Sequence, residues 1–216
     1  LKEVPGMFGV VDGGIVNGSW GFEAGQTAVG DIFAWFIDNC VPGSYFGEAE
    51  RRGISIHDLL TEKCAGQEVG AHGLIALDWH NGNRSVLADA NLSGIILGQT
   101  LTTTPEDQYR ALLEATAFGA RTIIESFRDS GVEINELVVA GGLTKNTFLM
   151  QLFCDICRVP LSVGTIKQPG AHGSAVFAAV AADLYPDVTA ASAAMGAKEA
   201  GVYQIDEQRA EQYDAL

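Results

Sequence analysis

The sequence predicts an α/β domain, and three observations carry that reading. From residue 137 onward, short apolar segments of strand length alternate with amphipathic segments of helical length in the order β–α–β–α. A partly parallel sheet flanked by helices satisfies this order, because parallel neighbours need a crossover between them. A glycine pair, Gly141-Gly142, stands between one of these strands and the next helix. Finally, 47% apolar and only 19% charged residues in a chain of 216 exclude a disordered protein and supply a core.

The elements follow in order along the chain. Residues 7–23 hold two short β-prone runs around Asp12-Gly13-Gly14, a hairpin signal. A helix is expected to begin near Gly25 or Gln26, to carry Val29, Ile32, Phe33, Phe36 and Ile37 on one face, and to end before Val41-Pro42-Gly43. Residues 44–70 are polar and mixed. They read as a surface excursion with a short helical pattern near Ile56 to Cys64. Residues 73–78 form a compact apolar strand, followed by a loop at 79–84 and a second apolar run at 94–98.

Thr104-Pro105-Glu106-Asp107 combines a capping hydroxyl, a proline at the first helical position and acids beside the positive end of the helix dipole. The longest helix should run from there to about Ser130 and stop at Gly131, with Tyr109, Leu112, Leu113, Thr116, Ile123, Ile124 and Phe127 inward. A strand at 137–140, the glycine turn, a helix from Asn146 to Cys157, a strand at 159–163 and an Ala-rich helix at 171–184 complete the series. Asn146 or Thr147 caps the middle helix, and Phe148, Leu149, Leu152, Phe153 and Ile156 form its apolar stripe. Beyond Pro186 a further helix start at Asp187 and a polar end are expected to be peripheral.

The formal charge of −14, with no Lys/Arg cluster, argues against a nucleic-acid or anionic-membrane surface. A bound anion must then be held locally, by backbone N–H groups, by magnesium, or by basic residues from another domain. No apolar run reaches the roughly 18 residues of a membrane helix, and the N-terminus has no signal-peptide core, so the protein reads as cytoplasmic. The chain opens on Leu1 rather than Met, and it is expected to be part of a longer protein.

Among candidate sites, Cys154 and Cys157 have the spacing of a redox or zinc pair. With no second pair and no His at finger spacing, they read as buried free thiols. His72, Asp78 and His80 sit at opposite ends of a strand and read as ordinary strand-end residues rather than metal ligands. Gly170-Ala-His-Gly-Ser174 puts His before Ser and does not make a nucleophile elbow. Walker and Rossmann glycine patterns are both absent.

What remains are three glycine-bearing turns, at residues 23–31, 94–98 and 141–142. Gly30 lies inside the first predicted helix, where glycine costs about 1 kcal/mol against Ala, which points to close approach of a ligand or another backbone. Gly141 and Gly142 lack a Cβ and precede a helix start, so they form either an empty β–α corner or a cradle for an anion such as a nucleotide.

Four ordered blocks then carry a resemblance over nearly the whole chain. They are residues 22–36 (Phe-Glu-Ala-Gly-Gln-Thr-Ala-Val-Gly-Asp), Gly82-Asn-Arg84 with residues 90–94, residues 104–119 (Thr-Pro-Glu-Asp-Gln-Tyr-Arg), and residues 140–151 (Ala-Gly-Gly-Leu-Thr-Lys-Asn-Thr). Together they resemble the C-terminal domain of FGGY carbohydrate kinases, and within that family the members that act on L-ribulose.

The resemblance implies an actin-like, ribonuclease-H-like ATPase domain over residues 1–216, a mixed sheet with flanking helices, and an N-terminal sugar-binding domain outside this chain. It also implies Mg2+-ATP-dependent phosphorylation of a ketopentose, L-ribulose to L-ribulose 5-phosphate in L-arabinose catabolism. Gly142 and Asn146 match family positions that line the adenosine and phosphates of ATP or ADP. Gly141 sits beside them, and Gly30 matches a glycine near the nucleotide. Ala34 stands where glycerol kinases use a Gln. The family's catalytic Asp and most of its sugar pocket lie upstream, so no catalytic base and no metal ligand is assigned here, although Asp12, Glu23 and Asp31 lie near that end. Alone, the chain is expected to bind ATP weakly and to transfer nothing. Two other expectations stand beside this one: a family member acting on xylulose, D-ribulose or a polyol, and a non-catalytic domain whose apolar helix at 26–37 serves contacts in a homo-oligomer.

Overall fold

A computed structural model describes residues 3–196 and 199–216. Strands β1 (Gly9–Asp12) and β2 (Trp20–Glu23) form the expected antiparallel hairpin, with Val10 opposite Phe22. Helix α1 (Val29–Cys40) follows and buries Ile32, Phe33, Phe36 and Ile37. It starts later than Gly25 or Gln26 because those residues have tertiary partners instead. The Gly25 amide donates to Ser85 Oγ at 3.1 Å, and Gln26 Nε2 donates to Asp78 Oδ2 and to the Thr116 carbonyl, both at 2.7 Å. Ala28, left-handed at φ 62°, then turns the chain into the helix.

Within residues 44–70 the helix expected near Ile56 to Cys64 forms, and a second helix that the sequence did not announce precedes it. Helix α2 (Gly43–Arg52) stops at left-handed Gly53, whose amide caps the Ala49 and Glu50 carbonyls, and helix α3 (Ile56–Ala65) starts at Ser55, whose hydroxyl accepts from the Asp58 amide. Strands β3 (Ile75–Leu77) and β4 (Ile95–Leu97) pair antiparallel as a separate ribbon.

Helix α4 (Pro105–Asp129) is the hub, with α1, α3, β3 and α5 (Thr147–Cys157) packed around it. Thr104 caps its start as expected, and Asp107, read in the sequence only as an acid beside the helix dipole, also accepts from the Thr104 amide and completes a reciprocal capping box. Its first half is buried on every side, from Tyr109 through Ala117, so Arg110 and Glu114 are enclosed along with the apolar residues. They satisfy each other at 2.8 Å. Arg110 also donates to the carbonyls of Cys64 and Gln67, and Glu114 accepts from His72 Nε2 and the Tyr213 hydroxyl, both at 3.0 Å.

Strand β5 (Leu137–Val139) pairs parallel with β6 (Leu161–Gly164), and β7 (Glu199–Tyr203) adds antiparallel to β6, giving the mixed sheet. Helices α6 (Pro169–Ala181) and α7 (Val188–Met195) pack on each other. The C-terminal end is not peripheral. Besides β7, helix α8 (Glu207–Asp214) docks on α5, with Ala210 and Tyr213 in the core, and its Asp214 pairs with Arg158 and Arg121. No helix among the described residues is long and apolar enough to cross a membrane.

Candidate functional site

A cavity of about 540 Å³, within the range usual for small-molecule sites, opens where four elements meet. The first turn of α1 contributes Gly30 and Phe33. The start of α3 contributes Ser55, His57 and Asp58, α4 contributes Tyr109, and the turn into α5 contributes Gly142, Leu143, Lys145, Asn146 and Leu149. Three of the four residues singled out in the sequence, Gly30, Gly142 and Asn146, therefore share one wall system although Gly30 lies more than a hundred positions from the other two.

Each has a local cause. Gly142 opens a 3-10 turn (Gly142–Lys145) between β5 and α5. Gly141 before it has φ 102° and ψ −166°, a conformation open in practice only to glycine, and its carbonyl accepts from the Thr144 hydroxyl at 2.7 Å. Gly141 shapes the turn without lining the cavity. Asn146 is the helix cap, its Oδ1 accepting from the Leu149 amide at 3.0 Å while Nδ2 donates to Thr61 Oγ1 at 3.0 Å.

A Cβ built on Gly30, Gly141 or Gly142 meets nothing within 4 Å, so no neighbour in the described chain demands glycine there. The other glycine turn behaves oppositely. A Cβ on Gly94 would collide with the His80 ring, and one on left-handed Gly98 with the Gly73 carbonyl, so that turn serves the fold.

Charge at the cavity is sparse. Lys145 is the cation on its wall, and the carboxylate of Asp58 is engaged by the Ser55 hydroxyl at 2.7 Å. His57 Nδ1 lies 3.0 Å from the Tyr109 hydroxyl. Burial pushes the Tyr109 phenol upward, and burial also holds His57 below the usual imidazole range despite the opposing pull of Asp58 and Asp38. Ala34 is exposed on α1. Asp12 ends β1, Glu23 pairs with Arg84 at 2.7 Å, and Asp31 is exposed in the first turn of α1; none of the three lines the cavity.

His72, Asp78 and His80 do not converge. His72 faces Glu114, Asp78 holds Gln26, and His80 lies against Trp35 with ring centroids 5.3 Å apart. No group of three His, Cys, Asp or Glu side chains among the described residues is placed to hold a metal. Cys154 and Cys157 are unpaired and buried, and burial raises their thiols to about 11 and about 12.

The contribution of α3 escaped the sequence reading. Its signal was present as Ser55-x-x-Asp58, a capping pattern that fixes a helix start and sets His57 in the first turn.

The same arrangement of elements is found in solved sugar kinases, which places the domain in the class of actin-like folds of the sugar-kinase type. The structure is similar to a xylulose kinase from Rhodospirillum rubrum (TM-score 0.70, 24% identity, covering 93% of this chain and 38% of that one). It is also similar to the Plasmodium falciparum glycerol kinase solved with ADP (TM-score 0.69, 21% identity, 93% and 38%). Residues 1–182 match the C-terminal domain of the FGGY family of carbohydrate kinases, and the chain belongs to that family. Over all 216 residues it is 59% identical to a ribulokinase of Mycolicibacterium smegmatis, of which it spans 38% of the length.

Proposed function

We propose that residues 1–216 are the nucleotide-side, C-terminal domain of an ATP-dependent kinase that phosphorylates L-ribulose in the cytoplasm, with Gly30, Gly142 and Asn146 lining the nucleotide site and Gly141 shaping the turn that presents Gly142. The carrying observation is the convergence of Gly30, Gly142 and Asn146 on one cavity whose glycines have no packing reason to be glycine. The choice of sugar rests on the 59% identity to a ribulokinase. Four free thiols suit a reducing compartment.

The residues present fit a nucleotide. Phe33, Leu143 and Leu149 offer apolar walls for a base, and the Gly142 backbone allows close approach. ATP supplies the phosphoryl group for transfer. The contribution of this chain is positional: it binds the base and ribose, orients the phosphates past the glycine turn, and excludes water from that wall. The fit to Mg2+ is partial, because magnesium takes one or two carboxylates plus phosphate oxygens. Asp58 is the carboxylate on the cavity, and it is held by Ser55. Magnesium would therefore be held chiefly by the phosphates and by the rest of the enzyme, where the sugar pocket and catalytic base also belong.

Titration calorimetry on the 216-residue chain tests the nucleotide part: ADP binds at sub-millimolar to millimolar strength, and Gly142→Val abolishes binding without unfolding. Absence of binding to the natural sequence at millimolar ADP overturns it. A substrate panel on the full-length kinase tests the sugar, and a preference for xylulose over L-ribulose overturns that assignment.

A further inference from the structure

We propose that His57 is the residue that reads the nucleotide base, donating one hydrogen bond from Nε2–H to a ring nitrogen of the purine, and that Tyr109 fixes the ring in the tautomer that does so. The inference rests on the nucleotide reading of the cavity above.

Most polar side chains on the cavity wall are already tied to the protein. Asn146 accepts from the Leu149 N–H and donates one of its two amide protons to Thr61, which fixes its orientation at the helix start. Ser55 and Asp58 are bonded to each other, both through their side chains and through the Asp58 amide. Lys145 is a flexible point charge suited to phosphate rather than to a base edge. His57 differs: Nδ1 is engaged by Tyr109, while Nε2 has no partner among the described residues.

Tyr109 supplies the direction. Its ring is buried, packed against Phe33 and Phe36 on α1, and its burial keeps the phenol protonated. In the proposed arrangement the phenol O–H donates to Nδ1, and the proton of the neutral imidazole then sits on Nε2. Desolvation on the side of the ring that faces Tyr109 lowers the His57 imidazole from its ordinary 6.5, with Asp58 and Asp38 opposing, so above that pH the ring is neutral. The ring edge therefore presents a single oriented N–H at a wall otherwise lined by Phe33, Leu143 and Leu149. Purine ring nitrogens N1, N3 and N7 are the acceptors that such a donor recognises in adenine.

Calorimetry on the 216-residue chain with ADP and with its 1-deaza, 3-deaza and 7-deaza analogues decides the matter. His57→Phe keeps a ring and removes the donor, and is expected to weaken ADP about tenfold, the effect of one lost hydrogen bond. One of the three analogues weakens binding to the natural sequence by a similar factor and causes no further loss in His57→Phe. Tyr109→Phe frees the tautomer and weakens ADP a few-fold. If His57→Phe does not fold, His57→Gln against the same analogues makes the same comparison.

The inference is overturned if the natural sequence binds ADP and Gly142→Val abolishes it, yet His57→Phe stays within twofold. It is equally overturned if all three analogues lose as much against His57→Phe as against the natural sequence. An unaltered chain that binds no ADP refutes the nucleotide reading itself, a result distinct from either.

Discussion

Gly30→Ala should make the protein more stable and its nucleotide weaker at the same time. Gly30 is the second residue of α1, in an ordinary right-handed helical conformation, and a Cβ there meets nothing within 4 Å. Where the backbone is compatible, Gly→Ala stabilises by about 0.4–1 kcal/mol, chiefly by restricting the unfolded chain. A first-turn position sits toward the lower end, near about 0.5 kcal/mol. For a domain of this size 1 kcal/mol moves the midpoint by roughly 2–4 °C, so Tm should rise by about 1–2 °C. The same methyl stands on the wall of the cavity and meets whatever approaches Gly30. Forcing a methyl into a close contact costs about 1–3 kcal/mol, so the Kd for ADP should rise roughly 5- to 150-fold. Scanning fluorimetry without ligand and calorimetry with ADP read the two effects separately. A higher Tm with unchanged ADP affinity would place the ligand away from Gly30, and a fall of several degrees would refute the account of α1.

Glu114→Gln leaves Arg110 buried without its counter-charge and should cost about 3–5 kcal/mol in urea unfolding. Burial alone would raise the Glu114 carboxyl, but hydrogen bonds from His72 and Arg110 bring it below the ordinary 4.5; its contribution is therefore full above that pH and lost as pH falls through the depressed folded value. The natural protein should lose more stability on acidification than the variant, and parallel pH profiles would contradict this. Asp78→Asn keeps an acceptor for Gln26 and removes a carboxylate whose pKa burial raises, so Tm at neutral pH should rise, while at pH 3 the difference should vanish. Of the four thiols, exposed Cys40 should react quickly with a disulfide reagent and Cys64, Cys154 and Cys157 only on unfolding; a rapid second equivalent would revive the redox-pair reading. Adenosine should bind this chain within about tenfold of ADP, since one Lys145 gives the phosphates little charge, and a hundredfold preference for ADP would refute that division.

The legible parts of the sequence were those whose cause is local. The Thr104 cap, the Gly131 stop, the cap of α5, where Asn146 rather than Thr147 fills the role, and the hairpin around Gly13 are each set by a few adjacent residues, and each formed where expected. Helix α2 was hidden because it buries only Ala49, so no apolar stripe advertises it; its stop signal, Arg51-Arg52-Gly53, was the available clue. The C-terminal end misled for a different reason. Tyr213 stands among polar residues, and what it binds, Glu114, lies 99 positions away. The charges of α8 look like a solvated face until Arg121, Arg158 and Asp155 are brought beside them from α4 and α5. In the site, glycines without a local reason were readable, whereas His57 gained meaning only when α3 came to lie against Tyr109.

The division of labour within the cleft follows from where the charge is. A nucleotide triphosphate brings several negative charges to a protein whose formal charge is already −14, so long-range electrostatics oppose its approach. This wall answers with one lysine, open backbone at Gly142 and apolar surface from Phe33, Leu143 and Leu149, a combination suited to the base and ribose. On the proposed function, most of the phosphate charge would be met by groups other than this wall, which offers Lys145 alone. The buried Arg110, Glu114, His72 and Tyr213 cluster fixes α3, α4 and α8 to one another, and so holds together two of the elements, α3 and α4, that line the cavity.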